Sequence, residues 1–143
     1  MPVEMKTLEL PPKRINIDAK SRWTVSLNGL SRTRLFFSKH GVLFAGDCFE
    51  FFSAIKDEAV DVVFADPPFN LKKNYGPKAP DHLTEADYLD WSRRWLSEAV
   101  RVLKPGGALY VYNIPKWSVH LGAFLNEKAP MIFRHWIAIS MKN

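Results

Sequence analysis

A run of ten residues, Asp61-Val62-Val63-Phe64-Ala65-Asp66-Pro67-Pro68-Phe69-Asn70, constrains this chain more than any other stretch. Val62 to Ala65 is a short apolar run, the pattern of a strand buried on both faces. Pro67 and Pro68 fix their own φ and donate no N–H, so the strand ends there. Asp66 precedes a proline, which holds it to extended backbone. The run predicts a rigid ledge at the carboxyl end of a strand, where open α/β sheets carry their chemistry. That ledge offers two acceptors, the Asp66 carboxylate and the Pro67 carbonyl, and one flat ring, Phe69. Such a set suits a planar group bearing an exocyclic NH₂: the acceptors take its N–H bonds and the ring stacks on its face. For an isolated Asp-Pro-Pro, the plainer reading is a turn in which Asp66 caps the next segment.

A chain of 143 residues can bury one real core. It has no apolar run long enough to span a membrane. Met1 to Pro12 lacks the apolar centre of a signal peptide. The single cysteine, Cys48, excludes an internal disulfide and points to a reducing cytoplasm. Histidines at 40, 82, 120 and 135 show no ligand spacing, so no metal site is expected. The net charge of +5 is placed unevenly. Residues 1–45 carry eight Lys/Arg against three Asp/Glu, while residues 46–143 carry twelve of each. Charge alone serves either a phosphate-binding surface or a solvated basic tail.

In chain order, residues 1–40 read as a basic arm without helical period, in which Trp23 to Leu27 alternates weakly as a strand. Arg32, Arg34 and Lys39 flank Leu35-Phe36-Phe37, a combination that suits nucleic acid or, more commonly, a core. Val42 to Ala45 is an apolar strand ending at Gly46-Asp47-Cys48, and this strand end is expected on one edge of one sheet with Ala65 to Phe69 and Tyr112 to Ile114. A helix from Phe49 to about Lys56 follows, with Phe49, Phe52 and Ile55 at helical spacing. Asp47 stands where an N-cap belongs, with Glu50 three residues on, close to a capping box. Leu71 to His82, rich in Lys, Pro and Gly, predicts a loop beside the ledge. Its Lys72, Lys73 and Lys78 suit phosphates and its Asn74-Tyr75 suit a base; a solvated connector is the bland alternative.

Thr84 caps a long predicted helix reaching Leu103. Tyr88, Trp95, Ala99 and Val102 form one apolar row, and Leu89, Leu96, Val100 and Leu103 its neighbour. Lys104-Pro105-Gly106-Gly107 ends it. Ala108 to Tyr112 is the next strand, and Asn113-Ile114-Pro115-Lys116 its end, on the same edge as Asp66. A short helix follows from Trp117 to about Glu127, with Val119, Leu121, Phe124 and Leu125 as its apolar residues. Phe133 to Ile139 is the last expected strand.

Together with its Val-rich strand, Asp66-Pro67-Pro68-Phe69-Asn70 resembles the catalytic motif of the DNA amino-methyltransferases. These S-adenosylmethionine-dependent enzymes methylate adenine N6 or cytosine N4. Their common form is Asp-Pro-Pro-Tyr; Phe69 stands for the Tyr, a variant the family also uses. Gly46-Asp47-Cys48-Phe49-Glu50, a short helix and Val60 to Phe64 are similar to the stretch preceding that motif. Arg101 to Gly107 followed by a strand resembles class I methyltransferases generally. The resemblance implies an α/β, Rossmann-like class I methyltransferase fold with a mostly parallel sheet and flanking helices.

By the same resemblance, Asp66, Pro67, Pro68 and Phe69 are catalytic. Asp47, Cys48 and Asp66 lie by the cofactor, S-adenosylmethionine. Asn70, Lys72, Lys73, Asn74 and Tyr75 lie by the substrate, double-stranded DNA with a flipped base. Asp rather than Ser at the head of the motif leans toward adenine.

In this fold the methionine part of the cofactor is usually held by an aromatic-x-Gly-x-Gly turn. The seven glycines, at 29, 41, 46, 76, 106, 107 and 122, form no Gly-x-Gly. One permuted class of these enzymes carries the catalytic half first, and residues 41–143 resemble that half. The expectation is therefore an incomplete domain, lacking the Gly-rich cofactor half and the target-recognition segment. It further implies a second chain carrying the cofactor half as a partner, and weak cofactor binding by this chain alone. The alternatives are an RNA base methyltransferase and an inactive fragment that binds nucleic acid or a partner.

Overall fold

The computed structural model describes residues 35–38, 41–73 and 81–140. The expected strand at Trp23 to Leu27, the arm before residue 35, and Asn74, Tyr75 and Lys78 lie outside the described residues. Seven elements follow in order: β1 (Leu35–Ser38), β2 (Gly41–Phe44), α1 (Cys48–Ser53), β3 (Val60–Ala65), α2 (Glu85–Val102), β4 (Leu103–Val111) and α3 (Pro115–Lys128).

The central unit is β3 and β4, paired in parallel with Val62 opposite Ala108 and Ala65 opposite Val111. The intervening α2 makes this a βαβ unit, the usual way to join parallel neighbours. α2 is an amphipathic helix with a defined start. The Thr84 hydroxyl oxygen accepts the Asp87 N–H at 3.2 Å and donates to the Asp87 carboxylate at 2.7 Å. Its Tyr88, Trp95, Leu96, Ala99 and Val102 are buried, as their helical spacing predicts. Phe49 and Phe52 from α1, Ala65 from β3, Leu109 and Val111 from β4, and Leu121, Phe124 and Leu125 from α3 meet the Trp95–Leu96 centre. All three helices thus contribute to a core on one face of the sheet.

Arg101 fastens α1 to α2. Its guanidinium donates to the Phe52 carbonyl at 2.8 Å and the Ile55 carbonyl at 3.0 Å, satisfying groups at the end of α1, and pairs with Glu98 and Asp57. At the start of β4 the ladder jumps from Val60–Leu103 to Val62–Ala108, so Lys104-Pro105-Gly106-Gly107 bulges out. Gly106 has φ +81°, and a Cβ on Gly107 would sit 2.9 Å from the Lys104 carbonyl. Both glycines are therefore required by the backbone there.

Four expectations need correction. β3 is covered on one face only: Val62 and Phe64 are 57% and 70% exposed, because the helices lie on the side of Val63 and Ala65. The open face continues across Tyr110 of β4 and Tyr112 just beyond it. β2 does not share the β3–β4 sheet. It forms an antiparallel hairpin with β1, Phe44 opposite Leu35, and no described strand joins the two sheets. Phe133 to Ile139 is not a strand: residues 131–140 have no regular structure, and Phe133, Trp136, Ile137 and Ile139 are exposed. An extended segment becomes a strand only by pairing, and no described strand pairs with it. Val119 of α3 is 56% exposed, and buried Trp117 takes the inward place instead.

Candidate functional site

β3 and β4 run in parallel, so their carboxyl ends lie at one edge of the sheet. The Ala65 carbonyl accepts the Tyr112 N–H at 2.9 Å, the last rung before the chains part. Beyond it Asp66 is exposed, while Pro67, Pro68, Phe69 and Asn70 are half-buried. Asp66 and Asn113 stand at the same edge, as the sequence predicts.

Buried side chains hold the ledge from behind. The Tyr88 hydroxyl, on fully buried Tyr88 of α2, donates to the Pro68 carbonyl at 2.6 Å. The same hydroxyl accepts from the Asn113 side-chain amide at 3.1 Å. Trp117 of α3, 2% exposed, donates its indole N–H to the Phe69 carbonyl at 2.7 Å. The Tyr88 and Trp117 rings meet with centroids 4.6 Å apart. The Phe69 ring itself stands edge-on to Tyr112, at 5.5 Å and 61°. Thus the carbonyls of Ala65, Pro68 and Phe69 are taken. Among the described residues, no donor reaches the Asp66 carboxylate or the Pro67 carbonyl. These are the two acceptors that the motif offers on chemical grounds.

The backbone after the motif is held as tightly. Asn70 has φ +55°, a left-handed conformation that Asn tolerates. Its side-chain amide donates to the Leu83 carbonyl and accepts from the Leu83 N–H, both at 2.9 Å. Fully buried Asp81 accepts the Leu71 N–H at 3.1 Å and also the Lys73 N–H. The Lys72 N–H meets the Asp81 carbonyl at 2.7 Å, with Lys72 at φ +61°. The Lys72 and Lys73 side chains are exposed. Asp81→Ala is expected to cost about 0.5–1.5 kcal/mol for each of the two part-buried hydrogen bonds it removes. Denaturant unfolding of the variant checks this.

Asp47 is the N-cap of α1, its carboxylate accepting the Phe49 N–H at 2.7 Å, so the capping reading holds. Cys48 is exposed beside it, and desolvation with the Asp47 carboxylate pushes its thiol above the usual range. It is therefore a neutral thiol near pH 7. Both lie at the end of the β2 hairpin strand. No described hydrogen bond or ring contact joins either to residues 66–70, so the structure brings the two groups of predicted site residues to different strand ends. Among the described residues, no cluster of His, Cys, Asp and Glu suits a metal ion, and no helix is long and apolar enough to cross a membrane.

Sequence reasoning passed over Tyr88 and Trp117 as site residues, treating Tyr88 as core and Trp117 as a helix start. The usable signal was chemical: buried Tyr and Trp carry an O–H or N–H that must find a partner. Burial also pushes the Tyr88 phenol above its usual range, so it stays a neutral hydrogen-bond donor at physiological pH.

Residues 60–143 match a family model described as DNA methylase. Over 107 residues the chain is 50% identical to the Type II methyltransferase M.BamHI of Bacillus amyloliquefaciens, covering 75% of this chain and 25% of that protein. It is 36% identical over 83 residues to the Type II methyltransferase M.HpaI of Haemophilus parainfluenzae, covering 58% and 26%. It is also 36% identical over 89 residues to the DNA adenine methyltransferase YhdJ of Escherichia coli, covering 59% and 28%. The chain spans about a quarter of the length of these curated relatives.

Proposed function

We propose that this chain, which belongs to the DNA methylase family, carries the amino-group-binding site of a DNA methyltransferase acting on adenine N6 or cytosine N4. One observation carries the reading. At the end of β3, an exposed carboxylate and a neighbouring carbonyl lack protein donors among the described residues, while the carbonyls after them are engaged from behind. An amino group with two N–H bonds is the complementary ligand.

In this reading Asp66 and the Pro67 carbonyl each accept one N–H of the target base. Those bonds orient the nitrogen and draw its lone pair out of conjugation with the ring. Phe69, steadied against Tyr112, stacks on the extruded base. Asn70 holds the turn through Leu83 rather than touching the base. Lys72 and Lys73, with exposed side chains, contact DNA phosphates. By the family resemblance, Asn74 and Tyr75 are assigned to substrate binding as well.

The methyl donor is S-adenosylmethionine, which supplies an electrophilic methyl group on a positively charged sulfur. Asp66, an exposed carboxylate with no ion-pair partner among the described residues, suits that charge. Asp47 stands apart at the end of β2, capping α1. Asp66 also gives the proton lost from the amino nitrogen a hydrogen-bonded path outward. Catalysis of this type rests on positioning and electrostatics. The finer fold is the class I methyltransferase arrangement, completed by a cofactor-binding segment on the same or a second chain.

Phe69→Ala is expected to weaken binding of the extruded base by about 1–3 kcal/mol, the size of a base–aromatic stack. Phe69→Tyr is expected to keep activity. Methyl transfer to duplex DNA, assayed for this chain alone and for the chain replacing its matching quarter of M.BamHI, checks both. Full activity of Phe69→Ala at low DNA concentration would contradict the stacking role.

A further inference from the structure

We infer that Tyr88 is a positioning residue for methyl transfer, fixing where the Asp66–Pro67 acceptors and the Phe69 ring point; this rests on the function proposed above. Three elements meet at its hydroxyl. Tyr88 comes from the first turn of α2, the Pro68 carbonyl from the ledge after β3, and the Asn113 amide from the end of β4. The hydroxyl donates its one proton to Pro68 at 2.6 Å and accepts from Asn113 at 3.1 Å. A hydroxyl has one proton to give, so accepting from Asn113 leaves that proton for Pro68. Asn113 is fixed in turn, its side-chain carbonyl accepting the Ile114 N–H at 2.8 Å.

Full burial removes water as a substitute partner. Without the hydroxyl, the Pro68 carbonyl and the Asn113 amide both lose a partner, and the ledge must shift to find others. The Tyr88 ring lies against Trp117, which engages the next carbonyl, Phe69. Successive carbonyls are thus gripped from two helices. Pro67, one residue earlier, keeps its carbonyl for the substrate. Tyr88 touches neither base nor donor in this arrangement; it acts through Pro68.

Tyr88→Phe, Asn113→Ala and the double variant, each made in the chimera with M.BamHI, test this in steady-state methyl transfer. The expected result for Tyr88→Phe is a kcat lower by about 100-fold, the scale of an ångström-sized misplacement. KM for DNA and for S-adenosylmethionine should stay near wild type, and circular dichroism unchanged. Asn113→Ala should lose part of the same factor, and the double variant no more than Tyr88→Phe alone. In NMR spectra Tyr88→Phe should move the Phe69 and Asn70 amide resonances and leave Leu125 in place. Wild-type kcat in Tyr88→Phe, with wild type active and Asp66→Ala inactive, would overturn this inference alone. A folded wild-type M.BamHI chimera that binds S-adenosylmethionine and DNA yet transfers no methyl group would overturn the reading beneath it, and the inference with it.

Discussion

Asp66→Ala is expected to lower kcat for methyl transfer by at least about 100- to 1,000-fold, the loss seen when one preorganised polar partner of a reacting group is removed. DNA affinity should stay largely intact, because the carboxylate bonds the amino group and not the phosphates. The fold should tolerate the change. Asp66 is exposed, forms no ion pair among the described residues, and supports no neighbour by a hydrogen bond. A thermal midpoint close to wild type, together with lost activity, separates a chemical role from a structural one. Asp66→Asn is the informative companion: it keeps one acceptor oxygen but loses the negative charge that draws the lone pair forward. It should fall between wild type and Asp66→Ala.

The largest stability effect is expected at Trp117. It is 2% exposed, packs against Tyr88, and donates to the Phe69 carbonyl. Truncation to Ala removes most of a buried indole and leaves a cavity, a change that costs about 3–5 kcal/mol. For a domain of this size that is a large share of the total. Trp117→Phe keeps most of the volume and loses the N–H. Its cost should be nearer 1–3 kcal/mol, from a half-buried carbonyl left without its donor. Denaturant titration of both variants, compared at constant m-value, checks the order. Equal costs for Ala and Phe would show that the hydrogen bond, not packing, dominates.

The legible and illegible parts of this chain divide along physical lines. α2 could be read from sequence because local chemistry and the period of its apolar residues agree. Thr84 caps it, and Tyr88, Trp95, Ala99 and Val102 bury. The end of β3 was equally plain, since two prolines leave the backbone little choice. Pairing was not legible in the same way. β2 has the same apolar composition as β3, yet its partner is β1 beside it rather than the central sheet. Nothing within Val42 to Phe44 distinguishes a hairpin strand from a parallel one. Phe133 to Ile139 looks like a strand by composition, but strand formation needs a neighbour's free edge. The burial of β3 was overread for a related reason. A continuous apolar run suits burial on two faces, whereas the described helices cover only one.

Within the site, the motif residues were visible and their supports were not. Asp66 to Asn70 lie together in sequence. Tyr88, Asn113 and Trp117 lie 20, 25 and 48 residues from their partners in the ladder of bonds behind the ledge. Each also has an adequate local explanation, as core, strand end or helix start. Asp81 was hidden likewise: it reads as a polar loop residue, and only the folded chain shows it buried, binding the Leu71 and Lys73 amides.

Whether the β3 ledge receives the exocyclic amino group of a base in DNA is tested by product analysis after incubation of unmethylated duplex DNA with isotopically labelled S-adenosylmethionine. The chain would be assayed alone and in the M.BamHI chimera, followed by digestion to nucleosides and mass spectrometry. Label is expected in N6-methyladenine or N4-methylcytosine, abolished by Asp66→Ala. Label in 5-methylcytosine, or label at an amino group that survives Asp66→Ala, would contradict that role for the ledge.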